Sequence, residues 1–135
     1  MTAYIGVSDG RKTAITSAGT AVPNAILVQA LVDTGASATC VDPSVLQALS
    51  LTPTGSTMVK TPSTGNQPVQ FDQYDVSLGV PPASDQQLPL YIGTLPVICT
   101  ELLTSQGFHV LVGRDVLSQC ILIYNGNTKL FTLSY

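Results

Sequence analysis

At 135 residues the chain is long enough to bury one sizeable core and too short for a two-lobed architecture. Hydrophobic residues make up 44% of it and charged residues only 10%, so Ser, Thr, Gln and Asn must cover much of the surface. A formal charge of -3 leaves no basic patch for phosphates, which excludes nucleic acid and an anionic membrane as expected partners.

The opening residues, Met1 to Gly10, lack the basic-then-apolar order of a secretory leader, and no stretch approaches the roughly 20 apolar residues of a spanning helix. The expectation is one soluble, cytoplasmic domain over residues 1–135. Ala25 to Val32 is an apolar, β-branched run that reads as a strand buried on both faces and ending at Asp33. Cys40 is the first of three widely spaced cysteines, with Cys99 and Cys120; an odd number without C-x-x-C spacing points to reduced thiols. Asp42-Pro43 can cap and start a short helix through Leu49, with Val45, Leu46 and Leu49 on one face.

From Ser56 to Val80 the alternation predicts a hairpin with strands from Thr57 to Lys60 and Pro68 to Leu78. Its tip is Thr61-Pro62-Ser63-Thr64-Gly65-Asn66. Pro81 to Asp85 reads as an exposed loop and Leu88 to Cys99 as another apolar strand, with Pro89 and Pro96 marking edges or bends. Asp72, Asp75 and Asp85 read as solvated. Val110 to Val112 is a further buried strand, and Arg114 to Gln119 a helical turn or two. Asn125-Gly126-Asn127 closes a last hairpin between Ile121 to Tyr124 and Lys129 to Leu133.

Two segments carry chemistry. Asp33-Thr34-Gly35-Ala36-Ser37 follows one apolar strand, and Leu111-Val112-Gly113-Arg114-Asp115 follows another and leads into a helix. In this order, with a flap-like hairpin between them, they resemble the retropepsin family of aspartic proteases. The resemblance covers Ala25 to Gln119. It implies an all-β fold: a closed, barrel-like acid-protease domain with one or two short helices and a flap hairpin. It also implies a C2 homodimer, each copy forming half of an active endopeptidase.

The residues have a chemical logic of their own. Peptide hydrolysis without a metal or a covalent intermediate needs one group to take a proton from water and another to give one to the carbonyl oxygen. Two carboxylates a few Å apart do both, because like charges so close share a proton. The chain has a single Asp-Thr-Gly, so the second Asp33 must come from another copy across a two-fold axis. Gly35 permits the tight turn that presents Asp33. By the resemblance, Thr34 bonds across the dimer axis, Ala36 and Ser37 line the cleft, and Thr61, Pro62, Ser63, Thr64 and Gly65 form the flap tip over an extended peptide or protein substrate. Gly113 and Arg114 are expected to be structural.

Departures from the retroviral pattern matter. Ser37 stands where retroviral members usually carry the Asp that pairs with the Gly-Arg arginine, so Arg114 is expected to turn to Asp42 or a carbonyl. Asp115 replaces a customary Asn. The chain also continues past its late helix, which makes Leu130 to Tyr135 the expected interface strand.

Simpler readings stand beside this one. Asp-x-Gly is an ordinary turn, and only its strand context and the distant Gly-Arg raise it above that. His109 is the single histidine and has no nucleophile motif near it, so a strand-end role is expected. One His and three scattered Cys give no metal-ligand spacing; no metal and no cofactor are expected. Two other classes are a catalytically inactive dimerisation or peptide-binding module of the same fold, and a small β-barrel for an apolar ligand.

Overall fold

A computed structural model describes residues 1–60, 67–83, 87–102 and 104–135. Period-two burial builds its sheet. In β1 (Thr2–Val7), Ala3, Ile5 and Val7 turn inward and Tyr4 outward. β1 pairs antiparallel with β2 (Ile26–Val32), and β2 runs parallel to β7 (Val110–Val112). β7 joins the short β3 (Cys40–Val41), which lies parallel to β6 (Leu90–Cys99). β6 then pairs with the long β5 (Val69–Val80), which returns to β1. The circuit β1-β2-β7-β3-β6-β5 is therefore a closed barrel, and β4 (Gly55–Val59) extends from it along the first half of β5. Closure leaves no open edge within the circuit, and the core fills with Ile5, Val28, Ala30, Val41, Leu78, Val97, Val110 and Val112.

The expected all-β acid-protease architecture is thus present, with one helix more than anticipated. α1 (Asp9–Ser17) follows β1 and buries no residue, α2 (Pro43–Ala48) follows β3, and α3 (Arg114–Leu117) follows β7. α2 forms where the cap signal placed it: Asp42 accepts from the Ser44 amide, Pro43 opens the helix, and Val45, Leu46 and Leu49 are buried. β2 corrects the expectation of a strand buried on both faces, because Leu27, Gln29 and Leu31 are exposed while Val28 and Ala30 are buried. The barrel lies on one side of β2, and among the described residues the other face is left exposed.

The hairpin expected between Ser56 and Val80 is formed by β4 and β5, with Thr57 opposite Phe71 and Val59 opposite Val69. Its tip, including Thr61, Pro62, Ser63, Thr64 and Gly65, lies outside the described residues, as does Asp85. At the C-terminal end β8 (Ile121–Asn125) and β9 (Leu130–Ser134) form a separate two-stranded sheet. The Asn125 side chain closes its turn by accepting from the amides of Asn127 and Thr128. Among the described helices none is long and apolar enough to cross a membrane.

Candidate active site

The parallel pair β2–β7 delivers Asp33 and Gly113 side by side. Ala30, Leu31 and Val32 lie opposite Val110, Leu111 and Val112, and the Asp33 amide continues the ladder to the Val112 carbonyl at 3.0 Å. Beyond that bond the two chains diverge into loops of different shape. Residues 33–36 fold back on the Asp33 carboxylate, whose Oδ1 accepts from the Gly35 amide at 2.8 Å and the Ala36 amide at 3.3 Å. Both bonds converge on one oxygen and tie it to the loop backbone. A Cβ on Gly35 would sit 3.1 Å from the same oxygen, so a side chain there would crowd the anion. Oδ2 makes no hydrogen bond among the described residues. Asp33 is half-buried, while Thr34, Gly35 and Ser37 are exposed, so the loop presents its chemistry at a surface.

The turn after β7 holds this loop. The Arg114 amide donates to the Ala36 carbonyl at 3.0 Å. Gly113 meets the loop more closely still, since an added Cβ would come within 2.6 Å of the Ala38 carbonyl carbon and oxygen. Only glycine lets the two backbones approach that far. Asp115 completes the clamp: its carboxylate accepts from the Thr39 amide at 2.8 Å and the Thr39 hydroxyl at 2.7 Å, and that hydroxyl accepts from the Gly113 amide at 3.1 Å. Thr39 is fully buried. Asp33, Gly35, Ala36, Gly113 and Arg114 are therefore brought together at the ends of β2 and β7.

Within this geometry a carboxylate is held rigidly by backbone donors at a strand end, with one oxygen left for another partner. The chain matches the aspartyl protease family over residues 20–122, which spans β2 through the start of β8. It belongs to the aspartyl protease family. A search among curated proteins found no match. Membership in the aspartyl proteases carries a protease-like, hydrolytic function as a class.

Two features of this site depart from expectation. Arg114 does not reach Asp42: its side chain is exposed and forms no ion pair among the described residues. Asp42 is already committed, with Oδ1 accepting from the Ser44 amide and hydroxyl and Oδ2 from the Leu102 amide at 3.1 Å. Burial alone would push the Asp42 carboxyl up, but the Ser44 hydroxyl and the Leu102 and Ser44 amides together hold it below the ordinary carboxylate range. The second is the Thr39–Asp115 clamp, which pattern reading passed over. Asp115 stood out only as a departure from Asn, and Thr39 lies 76 positions away with no motif around it.

The remaining candidates lie away from the Asp33 carboxylate's hydrogen bonds. His109 precedes β7 and is anchored by its backbone, its amide donating to Gln29 and its carbonyl accepting from the Asp42 amide. Its Nδ1 is buried without a partner among the described residues. The three cysteines are free. Burial, reinforced by the nearby Asp115 and Asp33 carboxylates, pushes the Cys40 thiol up, away from the reactive thiolate. Among the described residues no group of His, Cys, Asp and Glu has the arrangement of a metal site.

Proposed function

We propose that the chain is an aspartic endopeptidase active as a C2 homodimer, in which the Asp33 carboxylates of two copies share a proton and activate water against an extended peptide. One observation carries this reading: the Asp33 carboxylate is locked by two amides through a single oxygen, on a loop that is stapled to the Gly113 turn and open to the surface. A structural Asp in a plain turn needs none of that second backbone. Thr34 lies exposed beside it, available to a second copy. Ala36, Ser37 and the tip residues 61–65 form the proposed substrate contacts.

In the dimer, one Asp33 is ionised and takes the proton of the attacking water, while the protonated partner donates to the scissile carbonyl oxygen. The rigid amide contacts leave the outer oxygen of each carboxylate for this exchange. Cleavage therefore has an acidic to near-neutral optimum and fails at alkaline pH, where both carboxyls lose their protons.

The test compares purified wild type and Asp33→Asn against a diverse peptide library between acid and neutral pH, read by mass spectrometry. Cleavage by the wild type with turnover lowered by about 10²–10⁴-fold or more in the variant is expected. A chain that is dimeric yet cleaves nothing, or a variant that cleaves as well as the wild type, overturns the reading in favour of a non-catalytic peptide-binding module.

A further inference from the structure

On the outer face of the barrel, β1, β5 and β6 run side by side and carry a feature the Asp33 site does not use. Tyr4 of β1 and Tyr91 of β6 both pair with Gly79 of β5, so two rings flank a position without a side chain. An added Cβ at Gly79 would lie 3.7 Å from Tyr4 Cβ and 4.0 Å from Tyr91 Cδ2, which are ordinary contact distances. The glycine provides room there and is not demanded by backbone crowding. With Gly6 and Ser77 continuing the floor and Pro81, Pro82 and Pro89 along the walls, the result is a depression of about 460 Å³. That is within the range of small-ligand sites. Tyr4, Gly6 and Lys12 precede residue 20, so part of the depression comes from chain outside the matched aspartyl protease stretch.

Small residues alone would make only a shallow stripe; Ser77 makes it a candidate site. Ser77 is 4% exposed, lies on the floor opposite Gly6, and its hydroxyl makes no hydrogen bond among the described residues. A ligand with an acceptor would complete it. At the rim, Lys12 donates to Asp9 and to the Tyr91 hydroxyl, and that hydroxyl donates to Asp9 at 2.6 Å. The opposite charges cancel within the rim, which disfavours a charged ligand. Lys12 retains a third proton. The depression thus offers two aromatic faces, several proline rings and unused donors, while Asp9, whose Oδ1 takes both rim bonds, is not among its lining residues.

Proline-containing segments have the complementary chemistry. Their rings stack on tyrosine faces, their extended helix is preformed, and each proline removes an N–H while its neighbouring carbonyls remain as acceptors. We propose that this depression binds an extended, proline-containing peptide segment, with one ring between Tyr4 and Tyr91 and a backbone carbonyl accepting from Ser77 or Lys12.

The test titrates the full 135-residue chain into a fluorescein-labelled proline decamer, with a Gly-Ser decamer as control, and reads anisotropy. Saturable binding of the proline decamer alone is expected. Gly79→Val, which fills the gap, weakens it at least tenfold, and Tyr91→Ala does so by removing a wall. Circular dichroism checks that each variant folds, and Ser77→Ala supplies a milder change, with a severalfold loss. Absence of saturable binding, equal binding of both peptides, or affinity unchanged in both Gly79→Val and Tyr91→Ala overturns the proposal. Binding is the readout, so a chain that cleaves nothing can still pass and an active protease can still fail.

Discussion

Gly113 and Asp115 divide the work of holding the Asp33 loop, and their substitutions should fail for different reasons. Gly113→Ala forces a methyl to within 2.6 Å of the Ala38 carbonyl, and neither backbone can retreat without breaking the Arg114–Ala36 bond. Overpacking of this kind costs about 1–3 kcal/mol, and urea unfolding should show a loss of at least that size. Asp115→Asn is nearly isosteric, yet it replaces one of two acceptors with a donor facing the Thr39 amide or hydroxyl. A loss of about 1–3 kcal/mol is expected from the unmet donor, again read by urea unfolding, whereas Asp115→Asn with full wild-type stability would show the clamp to be idle. Legibility at this scale followed local pattern. Asp33, Gly35 and Gly113 sit in short motifs whose backbone demands are visible in sequence. Thr39 acquires its role only when β3 and β7 pair and bring Asp115 to it, so no window around it could have revealed it.

Elements were legible where a start or stop signal had a physical basis. α2 was readable because Asp42, Pro43 and the apolar face of Val45, Leu46 and Leu49 agree. α1 was not, because Asp9 to Ser17 buries nothing and so carries no apolar stripe; its position rests on Lys12, Asp9 and Tyr91 at its outer surface. The reading of β2 failed for a related reason: a run of apolar residues cannot distinguish a strand covered on both faces from one exposed on its second face. The Asp42 cap also makes a pH prediction. Its folded carboxyl is depressed below the unfolded value, so its stabilisation is fully present above the ordinary carboxylate range. It is lost as pH falls through the folded value. Asp42→Ala should therefore cost about 1–2 kcal/mol at neutral pH. Urea unfolding repeated at progressively lower pH should show the difference from wild type shrinking below about pH 4, the reference range for Asp. A constant difference down to strong acid would mean that packing, and not the charged cap, supplies the effect.

For the whole molecule, the β8–β9 hairpin raises the sharpest physical problem. It pairs with no strand of the barrel, and a lone two-stranded hairpin is marginal in water. It nevertheless carries Ile121, Ile123, Tyr124, Leu130 and Tyr135 at 47–69% exposure. Alternation puts Ile121, Ile123 and Leu130 on one face and Leu122, Tyr124, Phe131 and Leu133 on the other, so both faces are apolar. Lys129 is the only charged residue from Ile121 to Tyr135, leaving little to keep such a surface monomeric. A chain with one Asp-Thr-Gly and, among the described residues, an uncovered apolar hairpin has two needs that a second copy would meet at once, which is why the proposed homodimer and the proposed reaction stand or fall together. Ile123→Lys combined with Leu130→Lys places two charges on one hairpin face without touching the barrel core. Sedimentation should report a dimer for the wild type and a monomer for this variant at the same concentration, thermal unfolding should retain a cooperative transition, and peptide cleavage should disappear. Cleavage that persists in a demonstrated monomer would separate activity from assembly, and the shared-proton pair of Asp33 carboxylates would have to be abandoned.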